Sequence, residues 1–220
     1  QVTDDGSQTL YSSYFDETCH SGSGAYDETN HNYIQGCEIK QKALKQSEIV
    51  VFEVGFGTGI GLKCTLDQLK DSSTPLSFYS CELDEKLAYN SMESLGISYE
   101  VINLNEKFKY IKAAIANREI IVLLGDVRES FPLAREKDLL KKFDAIYQDA
   151  FSPKNNPWLW TYEWFHDLAS LSKDTTLMTT YSTTKATWKS MILAGWRVEC
   201  ITGFRKKRMS TRAKRQGESA

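Results

Sequence analysis

The chain has 220 residues, of which 41% are hydrophobic and 25% are charged, and its formal net charge is −2 at pH 7. A chain of this size can bury a large core, so it needs neither a metal nor disulfides to fold. The composition excludes a collagen-like or largely disordered protein. No apolar run approaches the roughly 18–20 residues that cross a bilayer. We therefore expect one globular domain without a membrane segment.

The five cysteines lie at positions 19, 37, 64, 81 and 200. Their number is odd and no two have CxxC spacing, which favours reduced thiols and a cytoplasmic location. The set Cys19, His20, His31 and Cys37 does not have the spacing of a zinc site. We therefore expect no metal.

Short apolar runs alternate with longer amphipathic stretches along the chain. Strands are predicted at residues 49–54, 76–83, 120–124, 143–148, 176–181 and 196–201, and helices at 60–69, 85–95, 160–171 and 187–194. Apolar strands that alternate with helices indicate a mostly parallel sheet covered by helices on both faces. We therefore predict a doubly wound, Rossmann-like α/β fold. Residues 1–47 would form an N-terminal elaboration, 48–203 the core and 204–220 a basic C-terminal segment.

The first strand leads into a glycine-rich loop, E-V-G-F-G-T-G, at residues 53–59, and Gly61 follows. In doubly wound sheets, ligands bind beyond the carboxyl ends of the strands, where this loop lies. The GxGxxG dinucleotide pattern fails at every offset, and a phosphate-binding P-loop fails because Lys63 follows Leu62 rather than glycine. The remaining form, E-x-G-x-G-x-G, resembles the first motif of class I S-adenosylmethionine (SAM) methyltransferases.

Acidic side chains follow the next strands. Glu82 ends the second strand, where a carboxylate can accept both ribose hydroxyls, and Asp84 is either the alternative or a helix cap. Asp126, after the third strand, is placed to accept the exocyclic amine of adenine. The predicted cofactor-binding residues are Glu53, Gly55, Phe56, Gly57, Thr58, Gly59, Glu82, Asp126 and Asp149.

The fourth strand ends at Asp149, which enters an aromatic, proline-containing loop. Partial desolvation favours the protonated form of a carboxyl group, which suits a group that accepts a proton near neutral pH. The loop sequence D-A-F-S-P-K-x-N-P-x-x-W is very similar to the signature D-G-F-A-P-x-x-N-P-x-x-W of the MnmC methyltransferase domain and its free-standing MnmD relatives.

The resemblance extends from residue 9 to about residue 210. Residues 18–28 resemble the family's E-T-x-H-S-x-x-G-A-x-E-E stretch, residues 52–59 its E-x-G-F-G-T-G loop, and residues 203–208 its G-F-G-x-K-R-x ending. The departures are Cys19 in place of an aromatic residue, Ala150 in place of glycine and Arg205 in place of glycine. The last change leaves the path of the final turn open.

The resemblance implies a class I SAM-dependent methyltransferase acting on tRNA. It would methylate the aminomethyl group at C5 of the wobble uridine, giving 5-methylaminomethyl-2-thiouridine or its unthiolated form. For this reaction we predict that Asp149 is the catalytic residue, which orients the amine and accepts its proton. Bifunctional members carry an FAD oxidoreductase domain after this one. Because the sequence ends at Ala220, we expect that domain to be absent and the substrate to arrive with its aminomethyl group free.

The segment from Phe204 onward contains seven Lys or Arg residues and one acidic residue. Such a cluster is either a solvated tail or a surface for RNA phosphates, and the resemblance favours contact with the anticodon loop of tRNA. The predicted RNA-contacting residues are Phe151, Pro153, Lys154, Trp158, Arg205, Lys206, Lys207 and Arg208. The alternatives are a class I methyltransferase for a protein or small molecule, and a non-catalytic RNA-binding module with this fold.

Overall fold

The computed structural model describes residues 2–7, 9–19, 24–205 and 208–216. The strands are β1 (Tyr11–Ser12), β2 (Glu17–Thr18), β3 (Ile49–Val54), β4 (Leu76–Glu82), β5 (Glu100–Asn103), β6 (Lys109–Ile115), β7 (Arg118–Leu124), β8 (Phe143–Gln148), β9 (Ser172–Thr180), β10 (Trp196–Thr202) and β11 (Met209–Arg215). The α-helices are α1 (Ala25–Thr29), α2 (Ile39–Ala43), α3 (Ile60–Gln68), α4 (Glu85–Ser94), α5 (Val127–Glu136), α6 (Tyr162–Ser170) and α7 (Lys185–Leu193). A π-helical turn spans Asn30–Gln35 and a 3₁₀ helix spans Pro157–Trp160. Within these described ranges, no helix is both long and apolar enough to cross a membrane.

One mixed sheet organises the molecule, with the strand order β10-β11-β9-β8-β3-β4-β7-β6-β5. The five central strands run parallel, whereas β5, β6 and β11 are antiparallel to their neighbours. Because β11 is antiparallel to both β9 and β10, β10 points in the same direction as the central strands. The carboxyl ends of β3, β4, β7, β8, β9 and β10 therefore meet at one edge of the sheet.

The predicted α/β fold is confirmed. The six predicted strands correspond to β3, β4, β7, β8, β9 and β10, and the four predicted helices to α3, α4, α6 and α7. The sequence analysis assigned no element to β5, β6, α5 or β11. The edge strand β5 has no buried residue, and its neighbour β6 buries only Ile111 and Ala113. The helix α5 contains Pro132, which normally disfavours a helix interior.

The basic segment is partly a strand of the sheet. Residues 209–215 form β11, which lies between β9 and β10. It pairs with β10 along its whole length and with β9 from Thr211 to Lys214. The buried residues of β11 are Ser210, Thr211 and Ala213. These side chains are small, so the segment lacks the large apolar residues that predict a buried strand from sequence. The sheet thus continues through β11, beyond residue 203 where the core was predicted to end, while residues 217–220 lie outside the described residues.

Both faces of the sheet are covered by helices. Alternate residues of β3 point to opposite faces, so Ile49 and Val51 join one apolar cluster and Val50 and Phe52 join the other. The N-terminal elements α1 and α2, together with α3 and α4, cover the first face, and α5, α6 and α7 cover the second. The N-terminal elements α1 and α2 thus belong to the same apolar cluster as Tyr147, which lies near the carboxyl end of β8.

Candidate active site

The loop between β3 and α3 lines a cavity of about 1230 Å³ at the carboxyl edge of the sheet. Gly55 has a φ of +95°, and a Cβ atom on it would lie 3.3 Å from the carbonyl oxygen of Asp149. Gly57 also has a positive φ, and a Cβ atom on it would meet no protein atom within 4 Å. Glycine at these positions lets the loop approach the end of β8 and leaves its backbone open to a ligand.

The other predicted loop residues have different positions. Phe56 lines the cavity, but its side chain is buried in the core and its amide donates to the carbonyl of Cys81 at 2.8 Å. Thr58 and Gly59 are not among the described residues that line the cavity. The hydroxyl oxygen of Thr58 is buried and has no hydrogen-bond partner within the described part of the chain. Of the predicted loop residues, Gly55 and Gly57 therefore leave backbone open to the cavity, and their contact with a cofactor stays a prediction.

Glu53 is a buried acid at the end of β3, with 3% of its surface exposed. Its Oε2 accepts a hydrogen bond from the hydroxyl of Ser80 at 2.9 Å. Its Oε1 occupies the space beside Gly61, where a Cβ atom would lie only 1.7 Å away. Burial, reinforced by the charges of Asp149 and Glu82, raises the pKa of Glu53 well above its ordinary value. Glu53 therefore fixes how α3 begins beneath the glycine loop.

Glu82 reaches the same loop from β4. Its Oε2 accepts a hydrogen bond from the amide of Gly57 at 2.8 Å, and its Oε1 accepts one from the amide of Asp84 at 3.0 Å. Burial raises the pKa of Glu82, and these backbone donors partly counteract that rise. Asp84 instead caps α4 by accepting from the amides of Lys86 and Leu87. The geometry therefore favours Glu82 over Asp84 as the residue that faces a ribose.

Asp126 lies at the end of β7 and lines the cavity, as predicted, but it already has a charged partner. It caps α5, and its Oδ2 accepts from the guanidinium of Arg128 at 2.5 Å. The hydrogen bonds from Arg128 hold the pKa of Asp126 below its ordinary value. Both oxygens of this carboxylate accept hydrogen bonds from Arg128, so an adenine amine would share them with the guanidinium. Recognition of adenine by Asp126 stays a prediction.

Asp149 lines the cavity immediately beyond β8, and its Oδ1 accepts a hydrogen bond from the hydroxyl of Tyr33. Tyr33 is buried in the π-helical turn, and its ring centroid lies 5.5 Å from that of Tyr147. Burial and the charge of Asp149 raise the pKa of Tyr33 well above its ordinary value, so its hydroxyl remains a donor. Isolated π-helical turns are frequent at functional sites. The Asp149 carboxylate is thereby held in a defined orientation.

The segment after Asp149, residues 150–160, is here called the aromatic loop. The N-terminal β1–β2 hairpin packs on it: Oε2 of Glu17 accepts from the amide of Ser152 and from the side-chain amide of Asn155, both at 3.1 Å. The ring of Phe15 stacks on that of Phe151 with a centroid distance of 4.5 Å. The hairpin and the aromatic loop therefore form one wall of the cavity.

Two of the four predicted RNA-contacting residues in the aromatic loop line the cavity. Phe151 lies inside it, and Trp158 lines it while remaining largely exposed. Pro153 and Lys154 are not among its described lining residues, and Lys154 is exposed beside it. The guanidinium of Arg128 lies 5.3 Å from the ring centroid of Trp158.

Of the remaining predicted RNA-contacting residues, Arg205 and Arg208 lie between β10 and β11, at the same edge of the sheet as the cavity. Arg205 and Arg208 are exposed, whereas Lys206 and Lys207 lie outside the described residues. Arg205 forms an ion pair with Asp27 at 3.3 Å. Its φ of +46° lies in the left-handed region that favours glycine. Arg205 therefore has the backbone conformation that the family's glycine would favour.

Sequence reasoning assigned no role to several residues that line the cavity. Tyr33 is hidden inside a helical segment, and Tyr181 follows β9 and donates to the carbonyl of Ala150 at 2.8 Å. Glu28 is buried and also lines the cavity. The family pattern that residues 18–28 resemble ends in two glutamates, and its last position matches Glu28. No sequence motif indicated a role for Tyr33 or Tyr181.

Comparison with known proteins identifies the family. Residues 95–216, more than half of the chain, match a family model described as "S-adenosyl-L-methionine-dependent methyltransferase". The chain belongs to this family. The fold agrees with it: the O-methyltransferase TomG from Streptomyces achromogenes, solved in complex with SAM, aligns with a TM-score of 0.50 at 15% identity, over 83% of this chain and 80% of that one.

More similar relatives carry the MnmC name. The chain is 27% identical to the "tRNA 5-methylaminomethyl-2-thiouridine biosynthesis bifunctional protein MnmC" of Pseudomonas entomophila, over 94% of this chain and 34% of that protein. The crystal structure of MNMC2 from Aquifex aeolicus aligns with a TM-score of 0.79 and 26% identity, over 97% of this chain and 68% of that one. The predicted resemblance is confirmed. The chain spans about a third of the length of the curated relatives it matches.

The cofactor of this methyltransferase is SAM, and the cavity suits it. Eight acidic side chains and two basic ones line the cavity within the described residues, which favours a ligand that carries sulfonium and ammonium charges. The open space beside Gly57 admits a ligand against the loop backbone. Glu82 accepts two backbone hydrogen bonds and retains lone pairs for ribose hydroxyls. No group of three or more His, Cys, Asp or Glu residues suited to a metal was found in the described ranges.

Proposed function

We propose that this methyltransferase acts on tRNA and methylates the aminomethyl nitrogen at C5 of the wobble uridine, forming 5-methylaminomethyl-2-thiouridine or its unthiolated form. The observation that carries the proposal is the position of the Asp149–Tyr33 pair in the same cavity as the glycine loop. The printed name of the curated relatives, which specifies this nucleoside, supports the choice of substrate.

The residues around Asp149 suit the methylation of an amine. A primary alkylamine has a pKa near that of lysine, about 10, and is protonated in water, but only its neutral form has the lone pair that attacks carbon. SAM, when bound, supplies the electrophilic methyl group. Asp149 accepts the proton from the substrate amine, directly or through water, and orients the nitrogen. Tyr33 holds the carboxylate in place for this role, and Phe151 helps to exclude water.

The charges at the carboxyl edge suggest how an RNA approaches. Acidic side chains lie at the ends of β3, β4 and β7, on the cofactor side of the cavity. Exposed basic side chains lie on the side of β9, β10 and β11, where Lys185 begins α7 and Arg205 and Arg208 join the last two strands. Phosphates bind to such a basic surface in a salt-dependent way. The anticodon backbone would lie there, with the wobble base turned out of its stack into the cavity.

The five cysteines are free thiols in the structure, which is compatible with a reducing compartment. We extend the proposal to a cytoplasmic location, where tRNA and SAM are both present.

The test is methyl transfer from labelled SAM to an anticodon stem-loop that carries 5-aminomethyl-2-thiouridine, followed by nucleoside analysis. Asp149→Asn should lower kcat by about a hundredfold or more, because the proton acceptor is lost, while the Kd for SAM stays within about twofold. The matched control is Asp167→Asn on α6, because Asp167 pairs with Arg135 and does not line the cavity.

Three outcomes would overturn the proposal. Equal methylation of a stem-loop with an unmodified wobble uridine would indicate another acceptor. Full activity of Asp149→Asn would remove the role of the carboxylate. Binding of SAM and RNA without any transfer to the aminomethyl substrate would favour a non-catalytic RNA-binding module.

A further inference from the structure

Two exposed aromatic side chains flank the mouth of the cavity. Tyr14, in the turn of the β1–β2 hairpin, is 80% exposed, and Trp158, in the aromatic loop, is 61% exposed. Both line the cavity, although they are 144 positions apart in the sequence. Tyrosine and tryptophan are enriched at binding interfaces, so exposed rings at the mouth of an active-site cavity point to a partner that stacks on them.

The hairpin holds Tyr14 in a defined place. Phe15 packs edge-on against Tyr14 at 4.8 Å and face-on against Phe151 at 4.5 Å. Glu17 fastens the same hairpin to the backbone of Ser152. The exposed ring of Tyr14 thus packs on Phe15, which is itself held by Phe151, on a hairpin anchored by Glu17. Such support lowers the entropy that is lost when a ligand stacks on the exposed ring.

Arg128 lines the same cavity as the two exposed rings and lies beside that of Trp158. Its guanidinium is 5.3 Å from the ring centroid of Trp158 and is held by Asp126. The hydrogen bond to Asp126 is the main cause of the raised pKa of Arg128, and the nearby hydroxyl of Tyr14 adds to it. Two aromatic rings and a planar cation therefore lie around one opening. All three groups can stack on flat heterocycles.

We propose that Tyr14 and Trp158 form a stacking platform for the unpaired RNA bases next to the nucleotide that enters the cavity. This proposal rests on the proposed function. When the wobble base leaves its stack, its neighbours lose a stacking partner, and exposed rings at the mouth can replace it. Aromatic side chains stack on any base, so the platform supplies affinity for unstacked RNA without reading its sequence. The hairpin is therefore part of the RNA-binding surface.

The experiment compares two substrates that share the reacting group. One is an anticodon stem-loop with 5-aminomethyl-2-thiouridine at the wobble position, and the other is the free nucleoside 5-aminomethyl-2-thiouridine, which has no neighbouring bases. Tyr14→Ala and Trp158→Ala should each raise KM for the stem-loop about tenfold, while kcat/KM for the nucleoside changes by less than about threefold. Tyr162→Ala is the matched control, because Tyr162 is 41% exposed, lies four residues after Trp158 and does not line the cavity.

A second readout is independent of methyl transfer. Of the five tryptophans, Trp158 is exposed and Trp188 is half-buried, and the buried ones are Trp160, Trp164 and Trp196. Titration with the unmodified stem-loop should quench the tryptophan fluorescence of the wild type and of Tyr162→Ala. The quenching should be lost in Trp158→Phe, and in Tyr14→Ala it should require about tenfold more RNA.

The outcomes separate the two proposals. If the wild type binds the stem-loop with Tyr14-dependent quenching but methylates neither substrate, the platform stands and the assigned acceptor is wrong. If the wild type methylates both substrates and Tyr14→Ala leaves both KM values and the quenching unchanged, the platform is wrong and the assigned acceptor stands. An equal loss of kcat/KM on both substrates would also overturn the platform, because it would mean that Tyr14 supports the cavity itself.

Discussion

A methyl group added at Gly61 tests how Glu53 shapes the cofactor loop. In Gly61→Ala, the new Cβ atom would lie 1.7 Å from Oε1 of Glu53 and 2.9 Å from its Cδ. The carboxyl group cannot move freely, since it is buried and its Oε2 accepts a hydrogen bond from Ser80. Either the helix α3 shifts or Glu53 leaves its position, and both changes disturb the glycine loop.

The expected magnitude follows from three terms. Overpacking a buried position costs about 1–3 kcal/mol, and loss of the hydrogen bond from Ser80 costs about 1 kcal/mol. Alanine in place of glycine inside a helix contributes about 0.5–1 kcal/mol in the opposite direction. Gly61→Ala should therefore lower the free energy of unfolding by about 1–3 kcal/mol. In a Glu53→Ala background the clash is absent, so the same change should raise it by about 0.5–1 kcal/mol.

The assay is urea unfolding at neutral pH, without SAM, of the wild type, the two single variants and the double variant. Gly57→Ala is the control: Gly57 has a φ of +51° with open space beside it, so alanine there should cost about 1 kcal/mol of backbone strain in either background. The reversal of sign at Gly61, with no reversal at Gly57, is the expected result. Equal destabilisation by Gly61→Ala in both backgrounds would refute the steric role of Glu53.

Two further predictions concern the buried groups of the site. Burial raises the pKa of Glu53 well above its ordinary value of 4.5, so as the pH rises through 4.5 the unfolded chain releases this proton while the folded protein retains it. The free energy of unfolding of the wild type should therefore fall relative to that of Glu53→Gln, by up to about 1.4 kcal/mol per pH unit. The fall should stop once the pH reaches the pKa of Glu53 in the folded protein. Urea unfolding of both proteins between pH 5 and pH 8 measures this, and a pH-independent difference would contradict it. Tyr33→Phe removes the hydroxyl that donates to Asp149 and should lower kcat about tenfold or more at an unchanged Kd for SAM, because a hydrogen bond to a charged group is worth about 1.5–3 kcal/mol. The control is Tyr147→Phe, which removes a buried hydroxyl that contacts Thr65 rather than Asp149 and should change kcat less than about twofold. Similar decreases of kcat in both variants would mean that Tyr33 acts only through packing.

The local pattern of the sequence was sufficient for the centre of the fold and for one half of the site. The apolar runs of β3 and β8 report burial on both faces, which is a property of each strand and needs no knowledge of its neighbours. Once the strands are parallel, the residues that follow them must meet at one edge. Glu82 and Asp149 could therefore be placed beside the glycine loop before any contact was known.

The other half of the site depends on the path of the chain. Tyr33 meets Asp149 across 116 positions, and Glu17 meets Ser152 across 135. Periodicity reports which face of an element is buried, but it carries no information about which distant side chain lies opposite. The tertiary structure also decided that part of the basic segment is the strand β11. The sequence alone determined the central parallel strands and the acids that follow them, whereas folding determined the partners that orient and enclose those acids.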